Sequence, residues 1–94
     1  MQENAADVAQ LLKLLANRNR LLVLCALVNR EHTAGELEEL TGLSQPAVSQ
    51  HLARLRNAEI VATRKDAQRV IYSLAEPNVR AVIENLHAIY CPDL

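Results

Sequence analysis

Several residue types that other small proteins depend on are scarce in this sequence. It has no tryptophan, no phenylalanine and two tyrosines among 94 residues, so its core must be aliphatic. A composition rich in leucine, valine, isoleucine and alanine favours helices packed on helices. The two cysteines, Cys25 and Cys91, are too few for a disulfide-dense secreted scaffold or a four-ligand zinc finger. The length is that of one domain, which we expect to span residues 1–94.

Long apolar runs and an excess of one charge are also missing. The longest apolar run, residues 21–28, has eight residues, against the roughly 20 that cross a bilayer. The first residues include Glu3 and Asp7 and lack the basic start of an export signal. We therefore expect a soluble, cytoplasmic protein without a membrane partner. Ten basic and eleven acidic residues leave a net charge of -1, so any basic surface must be local.

The spacing of apolar residues predicts five helices and one β-hairpin. Apolar residues recur every three or four positions in each predicted helix, and period two replaces this spacing in the hairpin. The second helix is apolar over more than half of its circumference, which is typical of a helix at the centre of a domain. Asn4 and Asn17 are the predicted caps of the first two helices. Helices are predicted over residues 5–16, 17–28, 33–41, 44–57 and 77–91, and strands over residues 60–65 and 70–74.

Local signals predict where the later elements begin and end. Thr33 and Glu36 form a Thr-x-x-Glu capping box, and Gly42 ends the helix that this box opens. Ser44 is the predicted cap of the fourth helix, whose first turn contains a proline. Residues 66–68 are the predicted turn between the strands. Together these elements predict a mainly α, α+β fold, a winged helix-turn-helix with a β-hairpin wing between helices four and five.

The third and fourth helices, with the short turn between them, form a helix-turn-helix pattern. If Val48, Leu52 and Leu55 face the core, the fourth helix presents glutamine, serine, asparagine and arginine to solvent. Glutamine and asparagine can pair with adenine, arginine with guanine, and serine with a phosphate or a base. A helix that is merely solvated more often carries many glutamates and lysines. This face therefore predicts a surface that binds DNA.

Positive charge is concentrated in the same part of the chain. Residues 44–72 contain five basic and two acidic residues, whereas the rest contains five basic and nine acidic ones. A local basic footprint suits phosphate contacts, and the basic hairpin tip, residues 64–69, can lie along the DNA backbone or in the minor groove. The alternative is that the polar helix and the charged turn are ordinary solvent-exposed surface and bind no ligand. The predicted DNA contacts are Thr33, Ser44, Gln45, Ser49, Gln50, His51, Arg54, Arg64, Lys65, Gln68 and Arg69.

Four stretches resemble the ArsR/SmtB family of winged-helix repressors, and the resemblance covers nearly the whole chain. They are residues 14–24 (LLANRNRLLVL), 35–37 (GEL), 43–55 (LSQPAVSQHLARL) and 67–74 (AQRVIYSL). The resemblance implies a homodimer, built from the first and last helices, that binds an inverted repeat in double-stranded operator DNA and leaves it when an inducer arrives. Independently, the apolar faces of both terminal helices suggest such an interface, because a short chain has surplus apolar surface to cover.

Metal-sensing members of this family carry ligands that this sequence lacks. One group has Cys-x-Cys at the start of the third helix, where residues 33–35 read Thr-Ala-Gly. Another uses paired ligands on the last helix, which here offers Glu84 and His87 without the second pair. His32 and His51 add no ligand spacing. We therefore expect neither a bound metal nor a cofactor.

The two thiols suggest a different inducer. Cys25 lies in an apolar segment, where a cysteine is commonly a small buried hydrophobe, whereas Cys91 ends the last helix, a position that favours reactivity. In the family fold these two helices are neighbours, and the cysteine pair resembles that of the thiol-based branch, whose members sense persulfides and oxidants. The resemblance implies that reactive sulfur or an oxidant crosslinks Cys25 and Cys91 and releases the DNA.

Other interpretations of the sequence stay open. One is a family regulator, or an anti-silencing activator, in which the cysteines are incidental or the inducer is a metal or haem. A thiol-disulfide exchange protein is disfavoured, because the cysteines lie far apart and outside a Cys-x-x-Cys motif. A helical interaction module without DNA leaves the polar face of the fourth helix unexplained. We therefore predict a regulator that is not an enzyme.

Overall fold

Over residues 2–90, which the computed structural model describes, the chain forms five α-helices and a two-stranded antiparallel sheet. Met1 and residues 91–94 lie outside the described residues, and with them Cys91 and the predicted helix stop at Pro92. The order of elements confirms the predicted winged helix-turn-helix. The elements are α1 (Gln2–Leu15), α2 (Arg18–Asn29), α3 (Ala34–Thr41), α4 (Gln45–Asn57), β1 (Val61–Asp66), β2 (Arg69–Leu74) and α5 (Pro77–Tyr90).

Helix α2 lies at the centre of the fold, as its apolar circumference predicts. It contacts α1, α3, α4, α5 and β2. Asn17 caps it, since its side chain accepts hydrogen bonds from the backbone N–H groups of Asn19 and Arg20, both at 3.0 Å. Leu24 and Leu27 are fully buried, and burial of such a side chain contributes about 1.5–3 kcal/mol. This helix therefore packs against all four other helices and the second strand of the hairpin.

The core is aliphatic, and each of the five helices supplies part of it. The three positions of α4 that the sequence predicts to face inward, Val48, Leu52 and Leu55, are all buried. Their burial leaves the polar side of α4 in solvent. The buried cluster consists of Leu15, Val23, Leu24, Leu27, Leu37, Val48, Leu52, Leu55, Ile60, Val61, Val79 and Ile83.

The capping signals hold α3 and α4 in a helix-turn-helix. Thr33 Oγ1 accepts a hydrogen bond from the N–H of Glu36 at 3.2 Å, and the N–H of Thr33 donates to Glu36 Oε1 at 2.8 Å. Gly42 ends α3 with a φ of 75°, a left-handed conformation that favours glycine. The hydroxyl of Ser44 then accepts from the N–H of Ala47. The predicted caps of both helices are therefore confirmed.

The hairpin is paired from Val61 opposite Leu74 to Asp66 opposite Arg69. Its turn is therefore shorter than predicted, because Asp66 belongs to the first strand. Ala67 has a φ of 59°, which lets two residues reverse the chain where the sequence predicts three. The backbone of His32 pairs with that of Tyr72 through hydrogen bonds of 2.8 and 3.0 Å. The wing is thereby attached to the connection between α2 and α3.

Several predicted element ends are wrong, among them the start of α1 and the start of the first strand. Helix α1 already includes Gln2, so Asn4 lies inside it and is not its cap. Glutamine and glutamate are good helix formers, and they continue the helix past the asparagine. The first strand begins one residue later than predicted, because the N–H of Ile60 donates to Leu55 O at 2.9 Å and closes the end of α4. Within the described residues, we find no helix long and apolar enough to cross a membrane.

Candidate nucleic-acid interface and thiol cavity

The predicted base-reading residues of α4 share one side of the helix. Ser44, Gln45, Ser49 and Gln50 are exposed. Gln45 Nε2 donates a hydrogen bond to Ser49 Oγ at 2.7 Å, so these two side chains hold each other in place one turn apart. No acidic residue occurs in α4, whose last turn carries two arginines. This face can offer donors and acceptors to base edges without repelling a phosphate.

Two shallow cavities flank α4. The first lies on the side of α2, has a volume of about 320 Å³ and is lined by Arg20, Gln50, His51 and Arg54; we call it the arginine cavity. The second lies towards the hairpin, has a volume of about 260 Å³ and is lined in part by Ser49, Arg56 and Tyr72. The polar face of α4 is thus bordered on both sides by recesses with basic residues.

Arg20 is absent from the predicted contacts, yet it is central to the arginine cavity. Its exposed fraction is only 7%. Nε donates to Leu14 O at 2.5 Å and Nη2 to Lys13 O at 3.5 Å. These are carbonyls of the last turn of α1, which lack helical partners and carry the negative end of the helix dipole. An arginine at the start of an otherwise apolar helix is the sequence signal that points to such a role.

His51 lines this cavity together with the two arginines and is partly buried. Burial lowers the pKa of its imidazole, and the charges of Arg20 and Arg54 lower it further. The neutral form is therefore favoured in the absence of an anion. The sequence predicts His51 beside the DNA-reading face, and the structure adds that its environment depends on α2.

The hairpin wing carries less unpaired positive charge than its sequence suggests. Arg64 is paired with Glu31, with Nε to Oε2 at 3.1 Å and Nη2 to Oε1 at 2.8 Å. This hydrogen bond lowers the pKa of Glu31. Lys65, Gln68 and Arg69 are exposed at the tip. One of the predicted cations of the wing is therefore already paired with a carboxylate from the connection between α2 and α3.

Thr33 and Glu36 stabilise the start of α3. The Thr33 hydroxyl caps α3 and is half-buried. The hydrogen bond from its backbone lowers the pKa of the Glu36 carboxyl. The structure thus gives Thr33 a capping role, and a contact between Thr33 and DNA stays a prediction.

A third cavity surrounds Cys25. Its volume is about 340 Å³, and Cys25 is half-buried at its wall and not sealed in the core. Helix α5 contacts α2, as the resemblance implies, and contributes His87 to this wall. Cys91, the other predicted sulfur residue, is outside the described residues. We call this recess the thiol cavity; its lining residues are Leu22, Cys25, Ala26, Asn29, Arg30, His32, Leu40 and His87.

His32 is the most enclosed polar residue of the thiol cavity. Only 4% of its side chain is exposed, and its Nδ1 lies 3.5 Å from Glu36 Oε1. Sequence spacing does not bring His32, His87 and Cys25 together, but the packing of α5 on α2 does. Among the described residues, no three histidine, cysteine, aspartate or glutamate side chains are grouped in a way that would hold a metal ion.

The fold and the polar face of α4 define a winged helix-turn-helix domain of the kind that binds DNA. Residues 17–63 match the model of the arsR family of bacterial regulatory proteins. The transcriptional activator HlyU of Vibrio cholerae is 50% identical over 91 residues, which cover 97% of this chain and 84% of that protein.

Solved structures agree with this match. Reduced HlyU from Vibrio cholerae N16961 has a TM-score of 0.91 at 49% identity, covering 97% of this chain and 96% of that chain. The transcriptional repressor BigR from Xylella fastidiosa has a TM-score of 0.90 at 40% identity, covering 97% of this chain and 93% of that chain. The chain therefore belongs to the ArsR family and is a DNA-binding transcriptional regulator, not an enzyme. The resemblance seen in the sequence is confirmed.

Proposed function

We propose that this protein is a homodimeric repressor that leaves its operator when reactive sulfur or an oxidant crosslinks Cys25 and Cys91. The position of α5 supports the proposed crosslink between the two cysteines. His87 of α5 lines the cavity beside Cys25, and Cys91 follows it by four residues in the sequence. The last helix therefore runs along the wall that contains the first thiol.

Operator binding is supported by the chemistry of α4 and the wing. The exposed side chains of α4 match the donors and acceptors of base edges in the major groove. The predicted contacts, including Gln68 and Arg69 of the wing, are proposed to lie on the DNA. Each phosphate that a basic side chain neutralises contributes about 0.9 to the slope of log affinity against log salt. A steep salt dependence is therefore expected.

Dimerisation through α1 and α5 is supported by their uncovered apolar residues. Val8 and Leu12 are one turn apart on α1, and both are about half exposed. On α5, Leu86, Ile89 and Tyr90 form a second stripe, in which Ile89 and Tyr90 are 67% and 77% exposed. A second copy of the chain would cover both stripes. It would also set the separation of the two α4 helices to about one turn of DNA, 34 Å.

The crosslinking chemistry needs two exchange steps. With an organic trisulfide, the Cys25 thiolate attacks the central sulfur and displaces one thiolate, which leaves a mixed trisulfide on Cys25. The Cys91 thiolate then attacks that same central sulfur and displaces the second thiolate. The two cysteines lose two protons and two electrons, and the trisulfide leaves as two thiols. With hydrogen peroxide, the corresponding products are a disulfide and two molecules of water.

The separation of the thiols can select between these inducers. A direct disulfide requires Cα atoms within about 7 Å, and each inserted sulfur lengthens the bridge by about 2 Å. Closing the bridge would pull α5 against α2 and change the spacing of the two α4 helices. A small displacement lowers the affinity for both half-sites without unfolding the domain.

The decisive experiment combines intact mass spectrometry with a gel-shift assay. A duplex that binds the protein is first selected from a random-sequence pool, and the complex is treated with an organic trisulfide or peroxide. The expected product has lost two hydrogens, has gained whole sulfur atoms with the trisulfide, and no longer binds DNA. Cys25→Ser and Cys91→Ser are expected to stay bound under both treatments. Release of both variants to the same extent as the wild type would contradict the thiol mechanism.

The sign of regulation has a second candidate. The relative from Vibrio cholerae is named a transcriptional activator, whereas BigR from Xylella fastidiosa is named a repressor. A protein that displaces a silencer uses the same DNA interface but raises transcription. Deletion of the gene is expected to increase transcription from bound promoters if the protein represses, and to decrease it if the protein relieves silencing.

A further inference from the structure

The arginine cavity is lined by four polar residues, and three of them are basic or become so on protonation. Arg20 comes from α2, while Gln50, His51 and Arg54 come from α4. Among the residues that the structure describes, no carboxylate lines it. An adjoining cavity of about 710 Å³ shares both arginines and adds Lys13, but the carboxylates of Asp7 and Glu76 also line it and offset part of its positive charge. The smaller recess therefore suits one compact anion.

The guanidinium groups of Arg20 and Arg54 differ in how firmly the protein holds them before an anion binds. Arg20 is held rigidly, because Nε and Nη2 donate to carbonyls of α1, and its Nη1 has no hydrogen-bond partner among residues 4–90. Arg54 is exposed on α4 and adds a second planar donor group. Arginine forks match the geometry of phosphate oxygens, and a donor that is already immobilised loses little entropy on binding.

The position of the cavity identifies the source of the anion. A recognition helix fills a major groove about 12 Å wide, so the flanks of the helix face the phosphates that form the groove walls. The arginine cavity is the flank of α4 on the side of α2, and Gln50 joins it to the base-reading face. Contacts of this type set the register of a protein on DNA.

We infer that the arginine cavity seats one phosphate of the DNA backbone between Arg20 and Arg54, and that His51 takes up a proton as this phosphate enters. The inference rests on the proposed operator binding and adds to it a residue of α2, a role for His51 and a dependence on pH. No part of it requires the cysteines.

The direction of the pH effect follows from the charges around His51. The charged groups that act on it are Arg20 from α2 and Arg54 from α4, and they lower its pKa together with burial. A bound phosphate offsets both cations, so the pKa of His51 is higher in the complex than in the unbound protein. A group whose pKa rises on binding takes up protons, so DNA affinity increases as the pH falls between the two values.

The test measures affinity for the selected duplex by fluorescence anisotropy at several pH values. For the wild type, we expect a rise of about threefold to tenfold between pH of about 7.5 and 6, since one proton gives at most tenfold per unit. His51→Gln is expected to bind with little dependence on pH. His87→Gln is the matched control, because it removes a histidine from the thiol cavity, and it should keep the full pH effect.

The arginines are tested by the salt dependence of the same binding. Arg54→Gln should reduce the slope of log affinity against log salt by about 1. Arg30→Gln, at the opposite end of α2 from Arg20, is the control for an equal loss of charge and should change the slope less. Arg20→Lys keeps a cation near the α1 carbonyls; we expect a folded protein, checked by circular dichroism, whose affinity falls at least threefold.

The outcomes separate this inference from the proposed function. If no duplex is bound by the wild type, the proposed operator binding fails. If a duplex is bound but His51→Gln keeps the wild-type pH dependence, the phosphate seat is overturned while operator binding stands. NMR titration of the His51 ring gives an independent result, because its pKa should rise with the duplex. A rise with inorganic phosphate but none with the duplex would mean a site for free anions and would also overturn the inference.

Discussion

Two cavities along α2 differ in the residues that line them. The arginine cavity, at its first turn, contains permanent cations and opens beside the face of α4 that carries the predicted base contacts. The thiol cavity, further along the helix, combines a thiol, two imidazoles and one arginine with leucine side chains and borders α5. One central helix therefore touches both the proposed DNA interface and the proposed sensor. Substitutions in one cavity can therefore change DNA recognition or thiol response separately, whereas a shift of α2 would affect both.

The largest effect is expected from a substitution in the core of α2, the helix that contributes to both cavities. Leu24 is fully buried in α2, so Leu24→Ala should lower the free energy of unfolding by about 2–5 kcal/mol. Urea unfolding followed by circular dichroism measures this loss. Leu40→Ala is the matched control because Leu40 is 60% exposed, and its cost should stay below about 1 kcal/mol. Equal losses for both variants would contradict the assigned core.

The next effect tests whether the arginine cavity and the thiol cavity have separate functions. Arg54→Gln should weaken binding to the selected duplex by roughly tenfold, because a hydrogen bond to a charged group contributes about 1.5–3 kcal/mol. Its crosslinking by an organic trisulfide should match that of the wild type. Cys25→Ser should show the reverse, with normal affinity and no crosslink. A variant that loses both properties while remaining folded would contradict the separation.

A smaller effect concerns the edge where α3 begins. Thr33→Ala removes the acceptor for the N–H of Glu36 and should cost about 1 kcal/mol of stability. Thr33→Ser keeps the hydroxyl and should recover most of that loss. Thermal unfolding of both variants measures the cap, and their affinity for the duplex shows whether Thr33 also touches DNA. A stable Thr33→Ala protein with weak DNA binding would favour direct contact over capping.

The smallest effect is expected from removing the acidic partner of Arg64 in the wing. Glu31→Gln releases Arg64 from its carboxylate partner, so DNA affinity should rise about twofold to fivefold, with a salt slope steeper by up to about 0.9. Glu39→Gln, another exposed acidic position, should change the affinity less. Because pairing lowers the pKa of Glu31, its stabilising effect is present above about pH 4.5 and is lost as the pH falls through the lower folded value. Unchanged affinity of Glu31→Gln would mean that Arg64 does not contact DNA.

The helices and their caps follow closely from the sequence. The capping box at Thr33, the stop at Gly42 and the inward residues of α4 all depend on neighbours within one turn, and all are confirmed. The prediction at Asn4 fails for a local reason as well, since asparagine can cap a helix but does not prevent one from starting earlier. Errors of this kind move an element end without changing the fold.

The candidate sites were predicted less completely. The polar residues of α4 share one side of the helix because helical spacing places them there. Arg20 is different, since its contacts with α1 and with the cavity on α4 depend on how three helices pack. The pair of Glu31 with Arg64 joins residues 33 positions apart. No pattern within one turn of helix or one hairpin contains that information.

The order of elements, the aliphatic core, the helix-turn-helix and the family all follow from the sequence alone. They do so because caps, turns and apolar periodicity act between residues close in the chain. Only the tertiary structure decided that Arg20 and His51 share a cavity, that Arg64 is already paired, and that Cys25 opens towards His87 of α5. These features arise from the packing of α2 against its neighbours, where charge, burial and distance are set by residues far apart in sequence.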